Sequence, residues 1–276
     1  MIISKVCKSP ECQAEYEPRY FELLNTKIIA GQGWCPACAR KEYNRLEADE
    51  ERKKLADISH IRTEARKRTG IPPIFMNEDF STFKKGYQDQ ALAKCMSYAE
   101  GYSVEEKQMG YPSFLIYSQK SWGVGKTHLS CAILHRILDR WKGEGRSCPR
   151  LVFISEYDLF RSIQATYSFT REEQQHRENE DEIIKRLTTC DLMVLDDVGK
   201  EARKDPQFVQ RTLFAIIDGR YKRNAPIILT ANKSPEQLKS HLGSRGSDEA
   251  SYDRLWAMVG GKALNMDGSS YRRLKK

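Results

Sequence analysis

The chain has 276 residues, of which 39% are hydrophobic, and its 46 Lys and Arg against 38 Asp and Glu give a formal net charge of +8. This length suits one domain of roughly 200 residues with a small additional module. No apolar run approaches the roughly 18 residues of a membrane span, and Met1–Val6 lacks a signal-peptide core, so we expect a cytoplasmic protein without a membrane partner. The basic charge favours an anionic partner, with nucleic acid the leading candidate.

Four of the eight cysteines form two close pairs near the start of the chain. They are Cys7 with Cys12 and Cys35 with Cys38, and aromatic residues lie between the pairs. Two such pairs can supply the four thiolates of a tetrahedral zinc site, and the metal would stabilise a segment of about 45 residues that is too short to bury a core. We therefore predict a zinc-binding module over residues 1–45. The alternative is a set of unrelated free thiols.

The next segment, residues 39–68, is dense in charged side chains and has few apolar positions. This composition indicates an exposed helix or a charged linker, and a solvated face is favoured over a specific nucleic-acid contact. Proline ends any helix at Gly70-Ile-Pro-Pro73. We therefore expect a charged helical linker over residues 46–70 and a second domain over residues 71–276.

A glycine-containing loop follows the first buried strand of that second domain. The pattern predicts a strand over Phe114–Tyr117, and a helical apolar period begins after Thr127. Loop amides and the helix N-terminus would face nucleotide phosphates, Lys126 would add a positive charge, and Thr127 would bind Mg²⁺. Lys120 replaces the first glycine of the usual G-x-x-x-x-G-K-[ST] pattern, so the pattern does not predict how the loop begins. The expected nucleotide contacts are Gly123, Val124, Gly125, Lys126, Thr127 and His128.

The segments after this loop alternate between strand and helix patterns. Leu151–Ile154 is predicted as a strand, Glu156–Tyr167 as an amphipathic helix and Arg171–Leu187 as a charged helix. Further on, Pro206–Tyr221 is predicted as a helix and Pro226–Thr230 as a strand. This order implies an α/β fold, a doubly wound parallel sheet with helices on both faces.

Two carboxylates follow the apolar run Leu192–Leu195, which predicts a central parallel strand. Open α/β sheets bind ligands at the carboxyl ends of their strands, where Asp196 and Asp197 would meet the glycine loop. We expect Asp196 to bind Mg²⁺ together with Thr127, and Asp197 to orient or deprotonate an attacking water. The two motifs together predict a nucleoside-triphosphate site. A surface turn and two solvated aspartates are the alternatives.

From about Ile71 to the end, the chain resembles the DnaC/DnaI helicase loaders and the related IstB transposition ATPases. The matching segments, in order, are Ile71–Phe80, Gly123–Leu129, Asp191–Gly199, Ile216–Tyr221, Ile227–Asn232, Asp253–Leu255 and Gly268–Arg272. The cysteine-rich module ahead of them is similar in kind to that of the DnaI-type loaders. The resemblance implies an AAA+ ATPase that uses ATP and Mg²⁺ and forms a homo-oligomer with ATP, DNA or a helicase.

The resemblance also assigns roles to single residues. Asn232 would be the sensor that holds the attacking water, and Arg254 would be an arginine finger donated to a neighbouring subunit. Arg245 is close enough in sequence to serve instead. Arg272 matches the C-terminal Ser-Tyr-Arg of the family and is a candidate nucleotide contact. Because the chain stops soon after Arg272, we expect the helical lid of a full AAA+ module to be short or absent.

Two functions follow from this resemblance. The first is an ATP-driven loader that binds the replicative DNA helicase through its N-terminal region, binds single-stranded DNA, and delivers the helicase ring onto DNA in replication initiation. The second is an IstB-like regulatory ATPase of transposition that acts on duplex DNA. A zinc-binding nucleic-acid adaptor with an inactive nucleotide site is disfavoured, because the expected ATPase residues Lys126, Thr127, Asp196, Asp197 and Asn232 are all present.

Overall fold

The computed structural model describes residues 4–18, 20–23, 26–29, 33–106, 110–170, 173, 176–199, 205–243, 249–261 and 263–274. The chain divides into two compact units, residues 1–60 and 61–276. The domain limits expected after residues 45 and 70 stay predictions. Among the helices in the described ranges, none is both long enough and apolar enough to cross a membrane.

The first unit contains two short antiparallel hairpins and most of a long helix. Strand β1 (Lys5–Val6) pairs with β2 (Glu15–Tyr16), and β3 (Tyr20–Leu23) pairs with β4 (Thr26–Ile29). Helix α1 (Pro36–Arg68) begins with a proline, which suits a first turn because its missing N–H would have no partner there. The charged segment is therefore a helix.

The second unit is built on a five-stranded sheet. Its strands are β5 (Phe114–Tyr117), β6 (Leu151–Ser155), β7 (Leu192–Val198), β8 (Ile227–Ala231) and β9 (Ala263–Asn265). They lie in the order β6-β7-β8-β5-β9, and every neighbouring pair is parallel. The four expected strands are confirmed. The pattern missed β9, because three residues are too few for a recognisable apolar run.

Helices cover both faces of this sheet. Helix α3 (Lys126–Arg140) packs against β7 and β8. Alternate strand residues, including Leu115, Met193 and Leu229, point to the opposite face, where they share a core with the helices that follow β6, β7 and β8. The expected doubly wound α/β fold is thus confirmed. The helices of this unit are α2 (Asp89–Gly101), α3 (Lys126–Arg140), α4 (Glu156–Thr166), α5 (Glu180–Thr189), α6 (Pro206–Lys222), α7 (Pro235–Leu242), α8 (Ala250–Val259) and α9 (Tyr271–Leu274).

The charged helix expected over Arg171–Leu187 is interrupted in the structure. Residues 177–179 are not helical, and α5 begins only at Glu180. Asn179 accepts a hydrogen bond from the Glu182 amide while the Glu182 side chain accepts one from the Asn179 amide, which is a capping box. This cap starts the helix at a point that the charge pattern does not mark. Residues 171–172 and 174–175 lie outside the described ranges.

Candidate nucleotide and zinc sites

The loop after β5 ends at a glycine that caps helix α3. Gly125 has a φ of +94°, in the region that favours glycine. A Cβ atom at this position would lie 2.7 Å from Cε2 of Phe83, so a larger residue would also collide with a packed ring. Helix α3 starts at the next residue, Lys126. The N-terminus of α3, the end of a helix at which proteins bind anions, therefore lies directly after the loop, as the motif predicts.

Both aspartates of the second motif lie in an irregular part of β7. Leu195 pairs with Leu229 and Val198 with Ala231, so the register with β8 shifts between these pairs. Asp197 has a φ of +62°, which is unusual for a residue with a side chain. Strand β7 thus continues past its expected end at Leu195, and the irregularity turns two consecutive carboxylates in different directions.

Asp196 is buried next to the hydroxyl of Thr127. Thr127 Oγ1 lies 3.1 and 3.0 Å from the two carboxylate oxygens, and Thr230 Oγ1 donates to Asp196 Oδ1 at 2.6 Å. The hydroxyl and the carboxylate place adjacent oxygen donors beside the glycine loop, and such hard ligands suit Mg²⁺. These two residues fit the expected metal site.

Burial raises the pKa of Asp196 from 3.8 to about 6. The neighbouring carboxylate of Asp197 adds to the rise, whereas hydrogen bonds from Thr230 and Thr127 and the charge of Lys126 oppose it. Ionising this carboxyl therefore costs more free energy in the folded chain than in water, and a bound cation would offset that cost.

A second set of contacts links the other polar residues. Lys126 Nζ donates to Asn232 Oδ1 at 2.7 Å, and Asn232 Nδ2 donates to Asp197 Oδ1 at 2.6 Å. Asn232 directly follows β8, so three adjacent elements each contribute one group. The structure brings together Lys126, Thr127, Asp196, Asp197 and Asn232, all of which were expected from the sequence.

Three polar residues near this site were not expected. Thr230 accepts a hydrogen bond from the amide of Asp197 at 2.9 Å while it contacts Asp196. Glu156, which is 1% exposed, accepts from the amide of Gly199 at 2.8 Å and lies 2.8 Å from Nε2 of His241. The sequence did offer a sign of Thr230, because a hydroxyl within an otherwise apolar strand indicates a polar partner. The contact between Glu156 and His241 spans 85 residues and has no local signal.

The other residues that the sequence analysis placed in the site do not join this set of contacts. The His128 side chain is buried, with Nε2 2.8 Å from the carbonyl oxygen of Asp79. Arg254 lies against its own chain, with Nε 3.1 Å from Asp218 Oδ1. Arg245 and the side chain of Arg272 are outside the described part of the structure.

The four paired cysteines come together in the first unit. The sulfur atoms of Cys7, Cys12, Cys35 and Cys38 all lie within 4.8 Å of one another, and Cys12 and Cys35 are 3.7 Å apart. Tetrahedral zinc with Zn–S bonds of about 2.3 Å separates its sulfurs by roughly 3.8 Å, so the cluster has the required size. The Cys35 amide donates to the Cys7 sulfur, which lowers the pKa of Cys7 to about 7. The donor set and its dimensions fit zinc.

Known proteins resemble this chain in sequence. The replicative helicase loader DnaC of Escherichia coli strain K12 is 28% identical over 196 residues, which are 69% of this chain and 70% of the relative. The chromosomal replication initiator protein DnaA of Streptococcus mutans is 27% identical over 117 residues, which are 42% of this chain and 23% of the relative.

Two solved structures share the fold of this chain. The DnaC helicase loader matches with a TM-score of 0.54 at 23% identity, over 71% of this chain and 100% of the other. DnaI matches with a TM-score of 0.52 at 19% identity, over 72% and 93%. At these identities the likeness concerns the fold alone. The sequence profile of the IstB-like ATP binding proteins matches residues 117–276, more than half of the chain, and the chain therefore belongs to the IstB-like ATP-binding protein family.

Proposed function

We propose that the chain is an ATPase that loads a replicative DNA helicase onto DNA in replication initiation. The observation that carries this proposal is a chain of hydrogen bonds between the expected ATPase residues, from Lys126 to Asn232 and from Asn232 to Asp197. The protein that contains it is similar in sequence to the loader DnaC. The similarity to DnaA, a replication initiator, supports the same process. The geometry supports nucleotide hydrolysis, and the relatives support its use in replication.

The residues of the nucleotide site would divide the work as follows. Amides at the start of α3 and the Lys126 ammonium would hold the phosphates. Thr127 and Asp196 would hold Mg²⁺, which neutralises phosphate charge when bound. Asp197 would orient or deprotonate the attacking water, and Asn232 would fix the position of that water.

The partners in this proposal are the helicase, single-stranded DNA and further copies of the chain. The first unit, residues 1–60, would dock the helicase, because it is a compact unit separate from the nucleotide site and carries the cysteine cluster, which suits a partner-docking module. Single-stranded DNA would bind the second unit, and the net charge of +8 favours that contact. Arg254 would complete the site of a neighbouring subunit.

Co-purification with the replicative helicase tests this function. The full chain should retain the helicase, and a chain lacking residues 1–60 should lose it while still binding ATP. The deletion should stop at residue 60, because Arg62 donates to the Trp141 carbonyl and Arg66 to Asp139 within the second unit. Failure of the full chain to bind any replicative helicase would refute the loader.

Membership of the IstB-like ATP-binding protein family keeps one other function open, the regulatory ATPase of transposition on duplex DNA that the resemblance to the IstB ATPases implies. The two functions differ in their nucleic-acid cofactor. A loader should be stimulated more by single-stranded DNA, whereas the transposition ATPase should be stimulated more by duplex DNA and should ignore the helicase. ATP turnover measured with equal nucleotide concentrations of each form separates them.

A further inference from the structure

The glycine loop begins without the glycine that usually forms its first turn. Lys120 occupies that position, and its φ is not positive. Within the loop, the Ser118 hydroxyl donates to the Ser121 carbonyl, and the Ser121 amide donates back to Ser118 Oγ at 3.3 Å. The backbone amide of Lys120 itself is bonded by a different part of the chain.

The segment Met266–Tyr271, which follows β9, contacts the loop at four successive points. We name it the C-terminal strap. Four hydrogen bonds, each donated by a backbone amide, are Met266 N to Tyr117 O at 2.8 Å, Lys120 N to Asp267 Oδ1 at 2.9 Å, Gly268 N to Ser121 Oγ at 3.2 Å and Tyr271 N to Gly123 O at 2.8 Å. The strap thus follows the loop from the end of β5 to its first inner glycine.

Asp267 is the strap residue whose side chain reaches the replaced glycine position. Besides the Lys120 amide, its Oδ1 lies 3.1 Å from Ser118 Oγ, and its Oδ2 accepts from Asn265 Nδ2 at 3.1 Å. The Lys120 amide is the main reason that the pKa of Asp267 is lowered, so the side chain is charged near neutral pH. A carboxylate next to a phosphate site repels the ligand. The role of Asp267 is therefore to hold the loop and not to bind the nucleotide.

The far end of the strap is fixed by aromatic packing. The Tyr271 ring stacks on Phe83 with centroids 4.7 Å apart, and the Tyr271 hydroxyl accepts from the Lys84 amide at 2.9 Å. Phe83 is the ring that leaves no room for a side chain at Gly125. Both ends of the loop are therefore held by the same strap.

We propose that Asp267 is a positioning residue that replaces the missing first glycine and holds the amides of the loop ready for the phosphates. The proposal rests on the proposed function in that the ligand is ATP. Loss of the acceptor should loosen the loop and weaken ATP binding. The rate at saturating ATP should change little, because Lys126, Asp196, Asp197 and Asn232 stay in place.

Three variants of the full chain test the proposal. Asp267→Ala should raise the ATP dissociation constant about tenfold, the effect of losing one hydrogen bond to a charged group, and should speed amide hydrogen exchange over residues 117–125. Asp267→Asn keeps an acceptor oxygen and should restore most of both properties. Asn265→Ala, which removes a partner of the other carboxylate oxygen, should behave like the wild type. Turnover at saturating ATP should stay within about twofold throughout.

Unchanged exchange in Asp267→Ala, or equal losses in Asp267→Ala and Asp267→Asn, would overturn the proposal. If Asp267→Ala does not fold, Asp267→Glu displaces the carboxylate by one methylene and should show the same two losses. If the wild type binds no ATP, the proposed function fails, and hydrogen exchange alone decides whether Asp267 holds the loop.

Discussion

The ammonium of Lys126 lies 2.7 Å from Asn232 Oδ1, and the amide of Asn232 donates to Asp197 at 2.6 Å. One chain of hydrogen bonds therefore joins the first turn of α3, the end of β7 and the residue after β8. These groups come from three separate elements but share hydrogen bonds, so removing one leaves the next without its partner. Single substitutions that are compared in both ATP binding and hydrolysis measure what each group contributes.

Lys126→Ala should abolish ATP binding, because it removes the positive charge at the phosphate loop. Asp197→Asn should bind ATP nearly as well as the wild type but hydrolyse it about 100-fold more slowly, since an amide cannot act as the base. Equilibrium binding and single-turnover hydrolysis check the two effects. Near-normal turnover of Asp197→Asn would show that another group activates the water.

Asp196 should destabilise the ligand-free protein near neutral pH. Its pKa is raised to about 6 in the folded chain, so the folded state binds the proton more tightly than the unfolded state. The contribution of this group to the free energy of unfolding therefore falls as pH rises from about 4 to 6. Asp196→Asn cannot ionise, and without nucleotide it should be more stable than the wild type above pH 7 by on the order of 2–3 kcal/mol.

Urea unfolding of both proteins across this pH range measures the difference. The gap should close toward about pH 3, where the wild-type carboxyl is mostly protonated in both states, so the acid end of the series is its own control. A variant that is less stable than the wild type at every pH would mean that the bonds from Thr127 and Thr230 outweigh the burial of the charge.

Local patterns in the sequence were enough for the four longer strands of the sheet, for the loop and for the set of polar residues that the structure brings together beside it. An apolar run before Asp196 and a helical period after Thr127 are short-range signals, and parallel strands bring their ends together. The start of α5 had a usable signal, since Asn179 and Glu182 have the spacing of a capping box.

Other parts of the site depend on neighbours that are distant in sequence. The irregularity that turns Asp197 is a register shift in the pairing of β7 with β8. Asp267 compensates for Lys120 across 147 residues, and one sequence gives no sign of that pairing. Such contacts between distant residues form only in the folded chain, so local sequence patterns do not predict them.

The four clustered cysteines should bind about one zinc ion per chain. Cys35→Ser/Cys38→Ser should lose the metal, because two hydroxyls replace two thiolates. Cys148→Ser alters a cysteine outside the cluster and should keep full zinc content. Elemental analysis of the purified proteins measures this directly. Equal zinc in all three would place the metal elsewhere.

Arg254 has two possible roles, which a mixing experiment separates. Within its own chain its Nε lies 3.1 Å from Asp218 Oδ1 and its guanidinium lies over the Phe214 ring, contacts that would anchor α8 on α6. As an arginine finger it would act on a neighbouring subunit, and Arg254→Ala should lower turnover about 100-fold or more. Arg245→Ala is the matched control, because this second arginine is close in sequence.

Mixing Arg254→Ala with Lys126→Ala decides between these roles. Each protein alone should be inactive, but the mixture contains interfaces in which an intact phosphate loop faces an intact Arg254. Turnover should then recover with a maximum near equal amounts of the two chains, and it should rise with total protein concentration because assembly creates the site. If the chains still assemble on DNA or with the helicase and no mixture recovers activity, Arg254 is the local anchor of α8 and the finger assignment is wrong.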